Sequence, residues 1–255
     1  MKKIFLLFIL NILIQNFTFA SDEINANEAF RKANNAYMKE DFKGAALLYQ
    51  DIIKNGFVSA NVYYNLGNCQ FRLKNYGKAI LNFEKAKRLA PSDESINLNL
   101  KIANLKIVDK IKPLPEFFLF SYLNGIAKSH ETDTFSWWGI LFIWIAVIFV
   151  GFLIVSNKAF LKKVSFGFVL LFFLIAASSF YLAYQSNHFL KETNEGIILT
   201  PSVYVKSSPD SEALDAFILH EGTKFMIIDN LGHWTKIKIA NGNIGWIDKE
   251  TFQEI

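Results

Sequence analysis

The chain has 255 residues, is 52% hydrophobic, and carries a net charge of +4 and one cysteine, Cys69. A single cysteine excludes an internal disulfide, and a small basic excess without a nucleic-acid motif argues against nucleic-acid binding. Its 26 Phe are too many for one ordinary soluble domain and imply segments that leave water.

Lys2 and Lys3, then the apolar run Ile4–Ile14 and the small residues of Thr18-Phe19-Ala20, read as a signal peptide over residues 1–20 with Ser21 as the mature start. An uncleaved anchor is the alternative, and in both cases the chain after residue 20 is exported.

Residues 21–112 repeat themselves. In Asn61–Asp93 the residues Tyr63, Leu66, Gly67, Tyr76, Ala79, Phe83, Ala86 and Pro91 fall at the spacing of a tetratricopeptide repeat. Small Gly67 and Ala79 let two antiparallel helices approach, Leu66, Tyr76 and Phe83 fill the gaps beside them, and Pro91 ends the second helix. Moving back 34 residues, Ala33, Phe42, Ala45 and Tyr49 match Gly67, Tyr76, Ala79 and Phe83, with Phe57 in place of the proline. Glu94–Lys110 adds a capping helix with apolar positions Ile96, Leu100, Ala103 and Ile107. The expected fold is an all-α solenoid whose first helices line a groove. Asn27, Phe30, Asn34, Tyr37, Asn61, Tyr64, Asn68 and Arg72 are its candidates for holding a peptide backbone or a terminal carboxylate. A merely solvated polar face is the alternative. Cys69 is expected as a buried small residue.

Pro113 and Pro115 close this part. Over residues 113–136, Phe117, Phe118, Phe120, Tyr122, Leu123 and Ile126 suit a short helix on a membrane surface, with packing on the repeats as the alternative.

Trp137–Val155 and Val164–Tyr184 are uncharged and long enough to cross a hydrocarbon core of roughly 30 Å. They predict a two-helix transmembrane hairpin. The loop over residues 156–163 carries Lys158, Lys162 and Lys163 and no acid, so it is expected in the cytoplasm. Trp137, Trp138, Tyr181 and Tyr184 cluster at the opposite ends. The protein is therefore expected in the inner membrane, with both soluble parts on the periplasmic side. The repeat part is +5 (fifteen Lys/Arg, ten Asp/Glu) and residues 191–255 are −4 (six against ten), which predicts a salt-sensitive attraction between them, simple solvation being the alternative. Uncharged helices argue against transport.

After a linker over 185–193, residues 194–255 alternate in short runs. Gly196–Leu199, Ser202–Lys206, Lys224–Asp229, Trp234–Ile239 and Ile244–Ile247 read as strands, with a hairpin turn at Asn241-Gly242-Asn243. VYVKSSPDSEA, LHEGTKFMII and WTKIKIANGNIGWI resemble the bacterial SH3-like family. That resemblance implies a small all-β barrel that binds peptides or cell-wall material, with Tyr204, Trp234 and Trp246 as its patch. The alternative places those rings in the barrel's own core.

His130, His188, His220 and His233 are scattered, and no metal, nucleotide or nucleophile motif is present. No enzyme activity, cofactor or metal is expected. The whole chain is similar to the BatE family of the Bacteroides aerotolerance operon. The stretch NLNLKIANLKIVDKIKPLPEFFLF, leading into the first membrane helix through a Trp pair, carries that similarity. It implies a scaffold that works with membrane-bound von Willebrand factor A domain proteins and a MoxR-type ATPase in oxygen or envelope stress. A peptidoglycan sensor or tether is the alternative.

Overall fold

The computed structural model describes residues 27–115, 125–126, 132–191 and 194–255. The signal peptide and the Phe117–Leu123 part of the proposed surface helix lie outside them.

Five helices form the first body: α1 over 27–38, α2 (Phe42–Lys54), α3 (Ala60–Arg72), α4 (Tyr76–Leu89) and α5 (Glu94–Asn104). Side-chain oxygens cap three of them: Asp41 accepts from the Gly44 amide, Ser59 from Val62, and Asp93 from Ser95 and Ile96. The turn after each first helix uses a left-handed residue at the same repeat position, Glu40 (φ 62°) and Lys74 (φ 64°). Gly67 is dictated by packing, since a Cβ there would sit 2.6 Å from the Phe83 ring. Tyr49 and Phe83, equivalent across the repeat, are both about fully buried, and Ala33, Ala45 and Ala79 lie beside them.

Two long helices come next, α6 (Thr132–Val155) and α7 (Ala159–Lys191), both long and apolar enough to cross a membrane. They run antiparallel. Phe142 stacks on Phe172, and further along Phe149 stacks on Phe168. Ala146, Ala176, Ser179 and Ala183 are buried, so small residues set the close approach while Trp144, Ile154 and Phe166 point outward. The helices overrun the expected bounds, leaving residues 156–158 as the loop instead of 156–163. Lys162 and Lys163 lie within the start of α7, because lysine is a good helix former and a charge marks the end of an apolar run, not of a helix.

Residues 194–255 form one antiparallel sheet of seven strands: β1 (Glu195–Ile198), β2 (Ser202–Lys206), β3 (Asp215–His220), β4 (Lys224–Leu231), β5 (Trp234–Ile239), β6 (Ile244–Asp248) and β7 (Phe252–Glu254). The order is β3-β2-β6-β5-β4-β1-β7, an open sheet in which β3 and β7 are edges, not the closed barrel expected. β3 and β7 also add to the five expected strands. The sheet curls all the same: Val203 and Leu219 near one edge share a core with Ile198 and Phe225 near the other. Gly232 (φ 60°) opens the two-residue turn between β4 and β5, and Gly242 (φ 90°) lies within the turn over 240–243 between β5 and β6.

The repeats and the sheet pack on one another. Ile197 and Ile255 join Ala79, Ile80, Phe83 and Leu100 in a single apolar cluster. Past α5 the chain runs along the sheet: Ile111 packs into the sheet core, and the Leu114 amide donates to the Ala240 carbonyl at 3.1 Å. Charged groups ring this contact. Lys224 lies 3.1 Å from Glu84 and 2.9 Å from Glu195, and the Arg88 guanidinium donates to the Ile255 carbonyl at 2.7 Å. Asp109 accepts from the His220 amide at 2.7 Å and the Thr223 hydroxyl at 2.6 Å, with the His220 ring 2.8 Å away. The two parts therefore touch, and the ion pairs between them run both ways: Glu84 of the repeats meets Lys224 of the sheet, and Arg88 of the repeats lies 3.4 Å from Glu195 of the sheet. Each buried Ile contributes roughly 1.5–3 kcal/mol, so the apolar cluster is a large part of what holds this contact.

Candidate protein-binding face of the repeats

The first helices of successive repeats are stitched by asparagines. The Asn65 Nδ2 on α3 donates to Asn34 Oδ1 on α1 at 3.2 Å, and the Tyr49 hydroxyl donates to the same oxygen. One repeat on, Asn99 Nδ2 of α5 donates to Asn68 Oδ1 of α3 at 2.8 Å and to the Tyr64 hydroxyl at 3.0 Å. Both asparagine pairs span 31 residues. The identical spacing sets α5 against α3 as α3 is set against α1, in the place of a further first helix.

This arrangement changes the role of the groove residues. Asn34 and Asn68 spend their carbonyl oxygens on the neighbouring helix. Among the described residues neither Nδ2 has an acceptor, so each repeat presents one half-buried amide donor. An extended segment offers carbonyl acceptors at regular intervals, which is the chemistry such a row suits. Tyr64 is held by Asn99 and packs its ring 5.9 Å from Phe83, so it shapes the face from within. Asn61 is exposed at the start of α3.

Arg72 has partners of its own. Its guanidinium lies 4.3 Å over the Phe42 ring and 4.0 Å from the Glu40 carboxylate, and the Phe42 ring meets Tyr37 edge-on at 5.2 Å. Arg72 and Tyr37 thus form a separate cation–aromatic cluster at the turn end of the helices. Half of the Arg72 side chain stays exposed, leaving donors for an anionic group. Asn27 and Phe30 belong to α1, where Phe30 packs on Tyr49. Sequence reasoning missed Asn65 and Asn99, although their 34-residue separation repeats that of Asn34 and Asn68.

Burial gives the repeats little acid–base chemistry. It pushes the Cys69 thiol up to about 12, and the Tyr49 hydroxyl likewise, so neither ionises near neutrality. At the repeat–sheet contact burial penalises the Lys224 ammonium, but Glu84 and Glu195 outweigh that and raise its pKa. Burial likewise opposes the charges of Asp109 and Glu195. Thr223 and His220 on the first, and Lys224 and Arg88 on the second, hold them below the usual carboxylate range. No three His, Cys, Asp or Glu side chains gather as a metal would need, among the described residues.

On the sheet, alternation sends Val203, Val205, Thr235, Ile237 and Ile247 into the core, and Tyr204, Trp234 and Trp246 to the opposite face. None of the three rings belongs to the sheet's core cluster. Trp246 stands between Lys206 on β2 and Lys236 on β5, with the Lys236 ammonium 5.7 Å over its ring. Trp234 pairs with Asp248 across the same hairpin, and Tyr204 with Ile218.

A comparison with curated proteins finds no match to the chain. Residues 60–93, which hold α3, α4 and the turn into α5, match the tetratricopeptide repeat family.

Proposed function

We propose that the protein is a non-enzymatic scaffold, anchored in the inner membrane by the α6–α7 hairpin, that binds a partner protein on the concave face of its exported repeats. The observation that carries this is the row of half-buried Asn34 and Asn68 amides, each with its oxygen used and its nitrogen open. The repeat family is one of protein-interaction modules, and the similarity to the BatE family suggests membrane proteins with a von Willebrand factor A domain as partners in a stress-related complex. The lysines at the 156–163 end of the hairpin favour that end in the cytoplasm and both soluble parts in the periplasm.

The test is recovery of crosslinked partners from intact cells with the native chain and with Asn34→Ala/Asn68→Ala and Arg72→Ala variants. Removing the asparagines is expected to lower recovery about tenfold, one good polar contact's worth. Unchanged recovery in both variants refutes this use of the face.

A second reading has an observation of its own. Tyr204, Trp234 and Trp246 face away from the sheet core, as a ligand patch of an SH3-like domain requires. On this reading the sheet grips peptidoglycan. Co-sedimentation of the full chain in detergent with purified sacculi, lost in Trp246→Ala, supports it. No co-sedimentation of the native chain refutes it.

A further inference from the structure

Helix α5 ends the repeat array with an apolar face turned outward. Leu98, Ile102 and Leu105 lie at steps of four and three residues and are 57%, 37% and 68% exposed. Beyond the helix Val108 and Leu114 are exposed as well, at 69% and 55%. One repeat earlier the corresponding residues are Tyr64, Asn68 and Phe71. Tyr64 and Asn68 are covered by Asn99 from the next first helix. The outer face of α5 is therefore the one that a further repeat would cover. The end of such an array is ordinarily polar; this one is aliphatic.

The charges around it are mostly basic. From Leu98 to Pro115 the chain carries Lys101, Lys106, Lys110 and Lys112, all exposed. The single acid in that stretch, Asp109, is turned into the sheet on His220 and Thr223. Glu94 sits one turn before Leu98. A second copy of this chain would not suit the face, because a two-fold contact sets four lysines against four. An aliphatic stripe edged by lysines, on the segment that leads into the apolar helix at Thr132, fits the boundary of a bilayer with anionic headgroups.

We propose that the outer face of α5, with Val108 and Leu114, rests on an anionic lipid surface beside the hairpin. This rests on the reading of α6 and α7 as membrane spans. It would tilt the repeat array so that one end lies against the bilayer and the asparagine row stays in water.

The experiment uses the full chain with Cys69→Ala, reconstituted in bilayers of phosphatidylcholine alone or with phosphatidylglycerol. Single spin labels are placed at Leu105→Cys, Val108→Cys, Leu47→Cys on α2 as an exposed control, and Trp144→Cys within the hairpin. Accessibility to oxygen is compared with that to an aqueous nickel chelate. The expected result is a lipid-like ratio at positions 105 and 108 in the anionic bilayer only, a water-like ratio at 47, and a lipid-like ratio at 144 in both bilayers. Replacing Lys101, Lys106, Lys110 and Lys112 by Gln is expected to abolish the lipid-like ratio at 105 and 108. Water-like ratios at 105 and 108 in anionic bilayers, with 144 immersed, overturn the proposal alone. So do equal ratios in neutral and anionic bilayers, or spin–spin broadening that reports a second copy on the face. A water-like ratio at 144 overturns the membrane reading, and the proposal with it.

Discussion

Ile197 tests whether the repeats and the sheet are one cooperative body. It is fully buried on β1, paired with Lys224 on β4 and Gln253 on β7, and its side chain lies in the cluster with Ala79, Ile80, Phe83 and Leu100. Ile197→Ala removes three carbons, about 2.4 kcal/mol of transfer free energy, and the residual cavity brings the loss to about 3 kcal/mol. In a cooperative body of this size that is a fall in Tm of about 6–12 °C. Hydrogen exchange of the full chain in detergent, read peptide by peptide, locates the damage. Exchange is expected to quicken in α4 and α5 as well as in β1 and β4. Ile247→Ala, fully buried in the sheet's own core, is the comparison, and it too is expected to reach α4. Faster exchange confined to the sheet in both variants, with α4 and α5 as protected as before, would refute the single-body argument.

Local chemistry sets two further outcomes. Lys74→Gly relieves a left-handed non-glycine residue; strain relief of about 1–2 kcal/mol less the added freedom of the unfolded chain leaves a net gain of about 0.5–1 kcal/mol, read as a higher Tm. Acid should loosen the repeat–sheet contact. Asp109 and Glu195 have folded pKa values below their ordinary ones, so their stabilisation is complete above the ordinary carboxylate range and is lost as pH falls through the lower folded values. A Tm series from pH 6 to pH 3 should decline, and Asp109→Asn should flatten part of that decline while costing about 1–3 kcal/mol at pH 6. A Tm that stays level in acid would contradict the assignment.

Local order along the chain made much of this fold legible. The 34-residue spacing of Gly67, Tyr76 and Phe83 encodes helix pairs because those positions must be small or large for the helices to touch. Strands β2, β5 and β6 announce themselves through strict alternation. β3 does not, since DAFILH holds four consecutive apolar residues, and an edge strand is relieved of the need for one clean polar face. The site was half legible. Asn34 and Asn68 stand out by their period, yet only the structure shows that their oxygens are occupied by Asn65 and Asn99. Arg72 is one helical turn from Asn68 in sequence, and only the structure shows its guanidinium over the Phe42 ring. The repeat–sheet contact was hidden because Ile197 and Ile255 read as ordinary strand residues. Pairing at a separation of 111 residues, as between Asp109 and His220, leaves no local trace.

That contact bears on how the hairpin is used. Ile111 packs against the core of the sheet near the end of the described stretch that precedes α6, and the sheet begins at Glu195 just after the chain returns from α7. The chain thus leaves from one body and returns to it. α6 and α7 run antiparallel, with the three-residue turn over 156–158 at the far end. A hairpin held in this way has both outer ends on one side of whatever it crosses. The lysines near the turn are then left with a smaller question than the sequence first set them. They need not place the repeats and the sheet together, since packing does that; they need only choose the side. A variant that inverted the charge bias would on this argument carry both soluble parts across as a unit, and would not separate them.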